Sequence, residues 1–214
     1  MKDIPMFTTE YGIASLALGE IPYKGEAYVQ IRTVVPGQLD RLLEECTAFC
    51  RACGAERIDA AEAEGLEQFP LRTIIYEMRG SSRQDGEQAN LWPVTEETLE
   101  QWRSIANEKL SAVDHAATVT AGEGKKLLSS GGAYFIHENG KLLGIGLLQG
   151  EELRMVAATQ KGAGALVLRT LLSTTGCEQV RLEVASTNER AIRLYERMGF
   201  IKTAEIRRWY RIFG

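Results

Sequence analysis

The 214-residue chain is poor in histidine, cysteine and proline, with two, four and five residues respectively. His115 and His137 are far apart with no metal-ligand spacing between them, so a zinc site has no support. Four cysteines are too few for a disulfide scaffold at this length. No apolar run approaches the roughly 20 residues a membrane helix needs. The first twenty residues carry Asp3, Glu10 and Glu20 and no signal-peptide core. A basic excess is also missing: 25 Lys and Arg stand against 29 Asp and Glu, for a net charge of −4, which argues against a dedicated nucleic-acid binder. The expectation is a cytoplasmic protein with no nucleic-acid or membrane partner. Hydrophobic residues at 44% and charged ones at 25% are near globular averages, so a sizeable core follows.

The least foldable stretch is the polar segment from Gly80 to Asn90. It divides the chain into residues 1–82, a linker at 83–90, and residues 91–214. Before it, Tyr11–Leu18 and Ala27–Val35 read as strands. A helix follows Pro36-Gly37, with Leu39, Leu42, Leu43, Cys46, Phe49, Cys50 and Cys53 on one face. Strands at Arg57–Ala61 and Leu71–Met78 complete this part. After it, Thr95 reads as the N-cap of a helix carrying Leu99, Trp102, Ile105, Ala106, Leu110 and Val113. A hairpin over Ala133–Leu148 turns at Asn139-Gly140. A strand at Glu152–Ala157, a helix at 162–174, a strand at Gln179–Val184, a helix at Glu189–Arg197 and a last strand follow. The class is mixed α/β with antiparallel hairpins. Both parts share an order of strand, helix, strand and final strand. This is either a degenerate internal duplication or a chance likeness of two α/β segments.

Between Met155 and the helix after it, Gly162, Ala163, Gly164 and Ala165 keep side chains out of the way. Several backbone N–H groups can therefore point at one anion, and the helix adds its positive dipole end. A pyrophosphate fits such a site. The P-loop triplet is absent after Gly162, and Val167 stands where the dinucleotide fingerprint needs a small residue. A tight turn that packs helix on sheet is the other reading of the loop.

Downstream, the segment Leu182-Glu183-Val184 leads into Asn188…Ala191…Leu194-Tyr195…Gly199-Phe200. This pattern resembles the GNAT superfamily of N-acetyltransferases, and most closely its bacterial ribosomal-protein alanine acetyltransferase branch. The resemblance covers roughly Leu91 to Gly214. It implies a GNAT fold, a central mixed sheet flanked by helices, with residues 1–82 as a smaller, degenerate GNAT-like copy. The family usually carries Arg or Gln where Thr159 stands, and the connection into the loop is shorter here.

The resemblance further implies acetyl transfer from acetyl-CoA to a primary amine, on a small molecule or a peptide N-terminus. The diphosphate would lie on Gln160, Lys161, Gly162, Ala163, Gly164 and Ala165. The pantetheine arm would run along Met155, Val156 and Ala157, where a backbone N–H can polarise the thioester. Asn188 caps the next helix, hydrogen-bonds the pantetheine amides, or does both. Tyr195 is the candidate acid for the leaving thiolate. Glu183, twelve residues earlier, is the candidate base, with Glu152 in reserve or a water chain in its place. The alternative is a catalytically silent acyl-CoA-binding or partner-binding module, and the N-terminal segment could also assemble a homodimer.

Two features have more ordinary readings. Cys46-x-x-x-Cys50-x-x-Cys53 has the spacing of a radical-SAM cluster motif but falls on an amphipathic helix, where cysteine acts as a small hydrophobe. Arg207-Arg208-Trp209-Tyr210-Arg211 reads as a last strand with solvated arginines and packed aromatics. Trp92 and Tyr134 could line an acceptor pocket.

Overall fold

The structure, a computed structural model, describes residues 3–214. In chain order its elements are β1 (Ile4–Thr9), β2 (Gly12–Ala17), α1 (Ile21–Lys24), β3 (Glu26–Val34), α2 (Leu39–Ala52), β4 (Arg57–Ala61) and β5 (Leu71–Ser81). There follow β6 (Asn90–Pro93), α3 (Leu99–Leu110), α4 (Ala121–Ser130), β7 (Ala133–Glu138), β8 (Lys141–Gln149) and β9 (Glu152–Ala158). The chain ends with α5 (Gly164–Leu172), β10 (Gln179–Ala185), α6 (Glu189–Arg197) and β11 (Ile201–Phe213). Two compact units result. One runs to Ile75 and includes Glu205–Gly214; the other is Tyr76–Ala204. The chain enters and leaves the second unit within β5 and β11.

In the first unit the strand order is β1-β2-β3-β4-β11-β5. β1, β2 and β3 form an antiparallel meander, and β4 lies parallel to β3 over five consecutive positions, Glu26↔Arg57 to Gln30↔Ala61. That crossover needs a connection, and α2 supplies it. Its apolar stripe of Leu42, Leu43, Cys46 and Cys50 is fully or almost fully buried against Ala14, Leu16, Val29, Ile58 and Tyr210. The thiols are therefore core atoms. Burial pushes Cys46 and Cys50 up to about 12, far from the thiolate that a cluster ligand requires. The last strand closes this sheet, with Tyr210 opposite Ala60 and Arg211 opposite Asp59. Trp209 and Tyr210 are buried, while Arg207 pairs with Glu62 at 2.6 Å and Arg208 with Glu205 at 2.7 Å.

In the second unit the order is β11-β5-β10-β9-β8-β7-β6. β6 to β9 are antiparallel neighbours. One face is covered by α5 and α6, whose Leu168, Leu171, Ile192 and Tyr195 pack on Val180, Leu182 and Val184. The other is covered by α3 and α4, with Trp102, Ala106 and Leu127 packing on Phe135, Ile145, Leu147 and Met155. The segment expected as a linker has no regular structure between β5 and β6 but is tied down. Ser82 N–H donates to Glu178 O at 3.0 Å, Gln84 to Met198 O at 3.1 Å, and Ala89 N–H to Thr170 Oγ1 at 2.9 Å.

Three local expectations are corrected. Thr95 does not cap α3; it closes a turn with Thr98, and the helix begins at Leu99. Strand β1 precedes the strands read from the sequence. Helix α4 was not anticipated, although Thr120 and Glu123 form a capping box at its start, the Thr-x-x-Glu signal for a helix N-terminus.

Asp59 is 3% exposed, and its carboxylate accepts a hydrogen bond from the Arg211 guanidinium on the neighbouring strand. Arg211→Met would strand a buried charge, and it is expected to cost the first unit about 3 kcal/mol in urea unfolding. Adding Asp59→Asn should return about half of that loss.

Candidate active site

Strands β9 and β10 run parallel, but among the described residues their register holds at one position, Arg181↔Glu152. Arg181 N–H donates to Glu151 O at 2.8 Å, and beyond that point the strands part. On its other side β9 stays paired with β8, from Leu147↔Met155 to Gly144↔Ala158, and Thr159 N–H donates to Leu143 O at 2.8 Å. Antiparallel hydrogen bonding alternates along a strand. With Thr159 turned toward β8, Ala157 and Met155 turn the same way, and the backbone groups of Val156 and Ala158 face the gap. An extended chain can take the missing strand's place there by β-type hydrogen bonds.

The loop after β9 lies at the end of this gap. Gly162 has φ +86°, a left-handed conformation that suits glycine, and a Cβ on it would meet nothing within 4 Å. Helix α5 begins without a side-chain cap. Ala163 N–H donates to Gln160 O and Val167 N–H to Ala163 O. The N–H groups of Gly164, Ala165 and Leu166 have no partner among the described residues. They are free donors at the positive end of the helix, an arrangement complementary to an anion. A Cβ on Gly164 would stand 3.2 Å from Leu194 Cδ2, so glycine there also lets α5 and α6 approach. Lys161 and Gln160 are exposed beside the loop. Thr159 does not reach into it: its Oγ1 donates to Leu142 O at 2.8 Å and fastens the loop to β8.

Asn188 caps α6, its Oδ1 accepting from Ala191 N–H at 3.3 Å. Tyr195 is 8% exposed, packed with Leu182, Val184 and Phe200, whose ring centroid lies 5.9 Å from its own. Burial pushes its phenol up to about 12. Glu183, between Leu182 and Val184, points to the opposite face, where Met155 and Ala157 lie, and is exposed. Its side chain has no hydrogen bond or ion pair among the described residues. Arg181, two residues before it, pairs with Glu151 at 3.4 Å and Glu152 at 3.8 Å. Glu183 and Tyr195 thus occupy opposite faces of the sheet at the parting of the strands, and Glu152 is held by arginine.

On the Glu183 face a cleft of about 410 Å³ opens beside β9. Trp102, Leu110, Leu127, Leu147 and Met155 supply its apolar lining, and Glu123, Lys126 and Arg154 its charged groups. The helix that carries Glu123 and Lys126 was missed in the sequence, and nothing in the strand pattern marked Arg154. Trp92 does not belong to this cleft. It lies on β6, 62% exposed, its ring 5.1 Å from that of His137.

Residues 88–200 match the model of the acetyltransferase (GNAT) family. No curated protein matches the sequence. Solved structures similar to the chain include a conserved protein of unknown function from Staphylococcus epidermidis, 10% identical over 96% of this chain and 91% of that one, with a TM-score of 0.62. Another is a GCN5-related N-acetyltransferase from Kribbella flavida, 14% identical over 96% and 88%, with a TM-score of 0.59. A third is a tandem GNAT protein from the clavulanic acid biosynthesis pathway, 15% identical over 94% and 78%, with a TM-score of 0.53. At these identities the likeness is one of fold.

Tyr195 sets a pH dependence. Its folded-state value of about 12 lies above the ordinary 10.0, so the folded protein holds this proton more tightly. The contribution to stability is complete below about pH 10 and is lost as the pH climbs toward 12. Absorbance titration of the unmutated protein against Tyr195→Phe is expected to show one phenol ionising near pH 12.

Proposed function

The chain belongs to the acetyltransferase (GNAT) family, and on that premise we propose that its second unit transfers an acetyl group from acetyl-CoA to a primary amine. The observation that carries this is the parting of β9 and β10 directly before a small-residue loop with unpaired N–H groups. A long ligand with amides along an arm and a diphosphate at its end is complementary to that pairing of gap and anion site. The parallel pair of the first unit, β3 and β4, is closed along five positions, so the cofactor is assigned to the second unit alone.

When bound, acetyl-CoA supplies an acyl group activated as a thioester. The N–H groups of Gly164, Ala165 and Leu166 hold the diphosphate, with Lys161 adding charge and Gln160, Gly162 and Ala163 shaping the approach. The Met155 and Ala157 backbone groups, expected to hold the arm, are turned to β8 and keep the strand in place, so Val156 and Ala158 would align the arm, and the Val156 N–H would donate to the thioester carbonyl oxygen. Asn188 keeps its cap while its Nδ2 stays available to an amide of the arm. Glu183 takes the proton from the incoming ammonium on the cleft side, directly or through water. Tyr195 meets the sulfur from the other face. At about 12 its phenol stays protonated through the working pH range. A phenol that keeps its proton is available to donate it to a departing thiolate.

The Leu182-Glu183-Val184 strand followed by Asn188 supports a closest kinship with the ribosomal-protein alanine acetyltransferase branch. The first unit repeats the order meander, helix, parallel strand, as β1-β2-β3-α2-β4 against β7-β8-β9-α5-β10, which supports descent of residues 1–82 from a second copy. Residues 91–214 are the transferase part, of which Glu205–Gly214 packs in the first unit.

Titration calorimetry with acetyl-CoA should show one site per chain. Gly162→Asp is expected to weaken binding about 100-fold by setting a carboxylate against the diphosphate, whereas Gly162→Asn, which tolerates the same backbone, should change it less than about threefold. Equal loss in both variants would remove the anion site from the reading. Tyr195→Phe should keep binding and lower turnover about 100-fold. Binding without turnover in the unmutated protein, over a broad amine panel, would favour a silent acyl-CoA-binding module.

A further inference from the structure

The cleft beside β9 has an uneven inventory of polar groups. The Trp102 indole N–H is committed to Tyr134 O at 3.1 Å. The Glu123 carboxylate accepts from both the N–H and the hydroxyl of Thr120 at 2.8 Å, as part of the α4 capping box. Thr118 is engaged within the protein. The Lys126 ammonium has no hydrogen bond or ion pair among the described residues, and the Arg154 guanidinium has only an ion pair with Glu152 at 3.9 Å, beyond hydrogen-bond reach. The uncommitted groups are thus both cationic donors, over an apolar lining.

Arg154 owes its place to an irregularity in the strand. Met155 pairs with Leu147 and Leu153 with Leu148, so β9 takes two steps where β8 takes one. Arg154 is the extra residue of a β-bulge, a device that re-aims a side chain. In a regular strand it would face away from Met155; here both line the cleft. Arg154 precedes Val156, whose N–H faces the gap, by two residues, about 6.6 Å along the strand.

A simple amine arrives as a cation and would find no uncommitted anionic group among these lining residues, Glu123 being taken up by the capping box, whereas a carboxylate would find two cationic donors. We propose that the acceptor carries a carboxylate beside its amine, together with an apolar side chain, as a free apolar α-amino acid does. Arg154 and Lys126 bind the carboxylate, the lining of Trp102, Leu110, Leu127 and Met155 takes the side chain, and the amine is directed along β9 toward Val156. The volume of about 410 Å³ lies within the range of small-molecule sites. This inference rests on the transferase reading and narrows its acceptor: a peptide N-terminus has an amide where the carboxylate is needed.

The test is calorimetric titration with N-acetyl-L-methionine and with its carboxamide, both without acetyl-CoA. The acid is expected to bind at least about tenfold more tightly than the amide. Arg154→Met and Lys126→Met should each bring the two ligands close to parity, and Arg154→Lys should restore part of the preference. Both side chains are exposed, Arg154 at 53%, so unchanged melting temperatures will mark the variants as folded. In turnover, L-methionine should show a lower KM than 3-(methylthio)propylamine, the same skeleton without the carboxylate. Equal binding of acid and amide, a preference that survives both methionine variants, or no binding of either ligand would each overturn the inference. Because the titration needs no acetyl-CoA, a cleft blind to the carboxylate counts against this inference alone. Failure of acetyl-CoA to bind counts against the transferase reading instead.

Discussion

The second unit is organised around a parallel strand pair that is joined at its entrance and open beyond it. Past Arg181↔Glu152 the backbone of β9 gives its hydrogen bonds to β8 on one side and offers Val156 and Ala158 on the other. Backbone groups left unpaired inside a protein are costly, so those at the gap must find partners in water, another chain or a ligand. The glycines of β8 help to fix its position. A Cβ on Gly144 would lie 2.5 Å from Ala157 O and 2.9 Å from Val167, and one on Gly146 would lie 2.3 Å from Leu171. Their absence of side chains seats α5 tightly on the sheet, which brings the unpaired N–H groups at its start to the end of the gap.

The first unit runs the same sequence of elements to a different end. Its parallel pair is hydrogen-bonded over five positions, its crossover helix buries the Cys46 and Cys50 thiols, and β11 pairs with β4 in its sheet. The buried Asp59–Arg211 pair lies across the β4/β11 junction, where removal of one partner would be felt most.

Burial and charge divide the work at the site. On the α6 face, desolvation holds Tyr195 protonated with no charged neighbour involved. On the α3 and α4 face, Glu183, Lys126 and Arg154 are exposed. The sheet separates the two environments, a buried phenol on one face and exposed charged side chains on the other.

Much of this was legible in the sequence because it depends on local rules. Glycines at 162 and 164, the Leu-Glu-Val alternation that turns Glu183 away from Leu182 and Val184, and the cap at Asn188 each follow from the chemistry of one or a few neighbouring residues. The cysteine stripe of α2 was likewise readable from helical periodicity. Helix α4 was readable in principle from Thr120 and Glu123, but its weakly apolar sequence hid it. Strand parting, the bulge at Arg154 and the tying down of residues 82–89 were not readable at all. They depend on pairing between segments distant in the chain, and on which backbone groups find partners. The sequence by itself determined which residues could bind an anion, cap a helix or hold a proton. Only the tertiary structure decided that the β9 and β10 strands separate, that Tyr195 and Glu183 approach from opposite faces, and that two cations share an apolar cleft, because register and burial are properties of the assembled sheet.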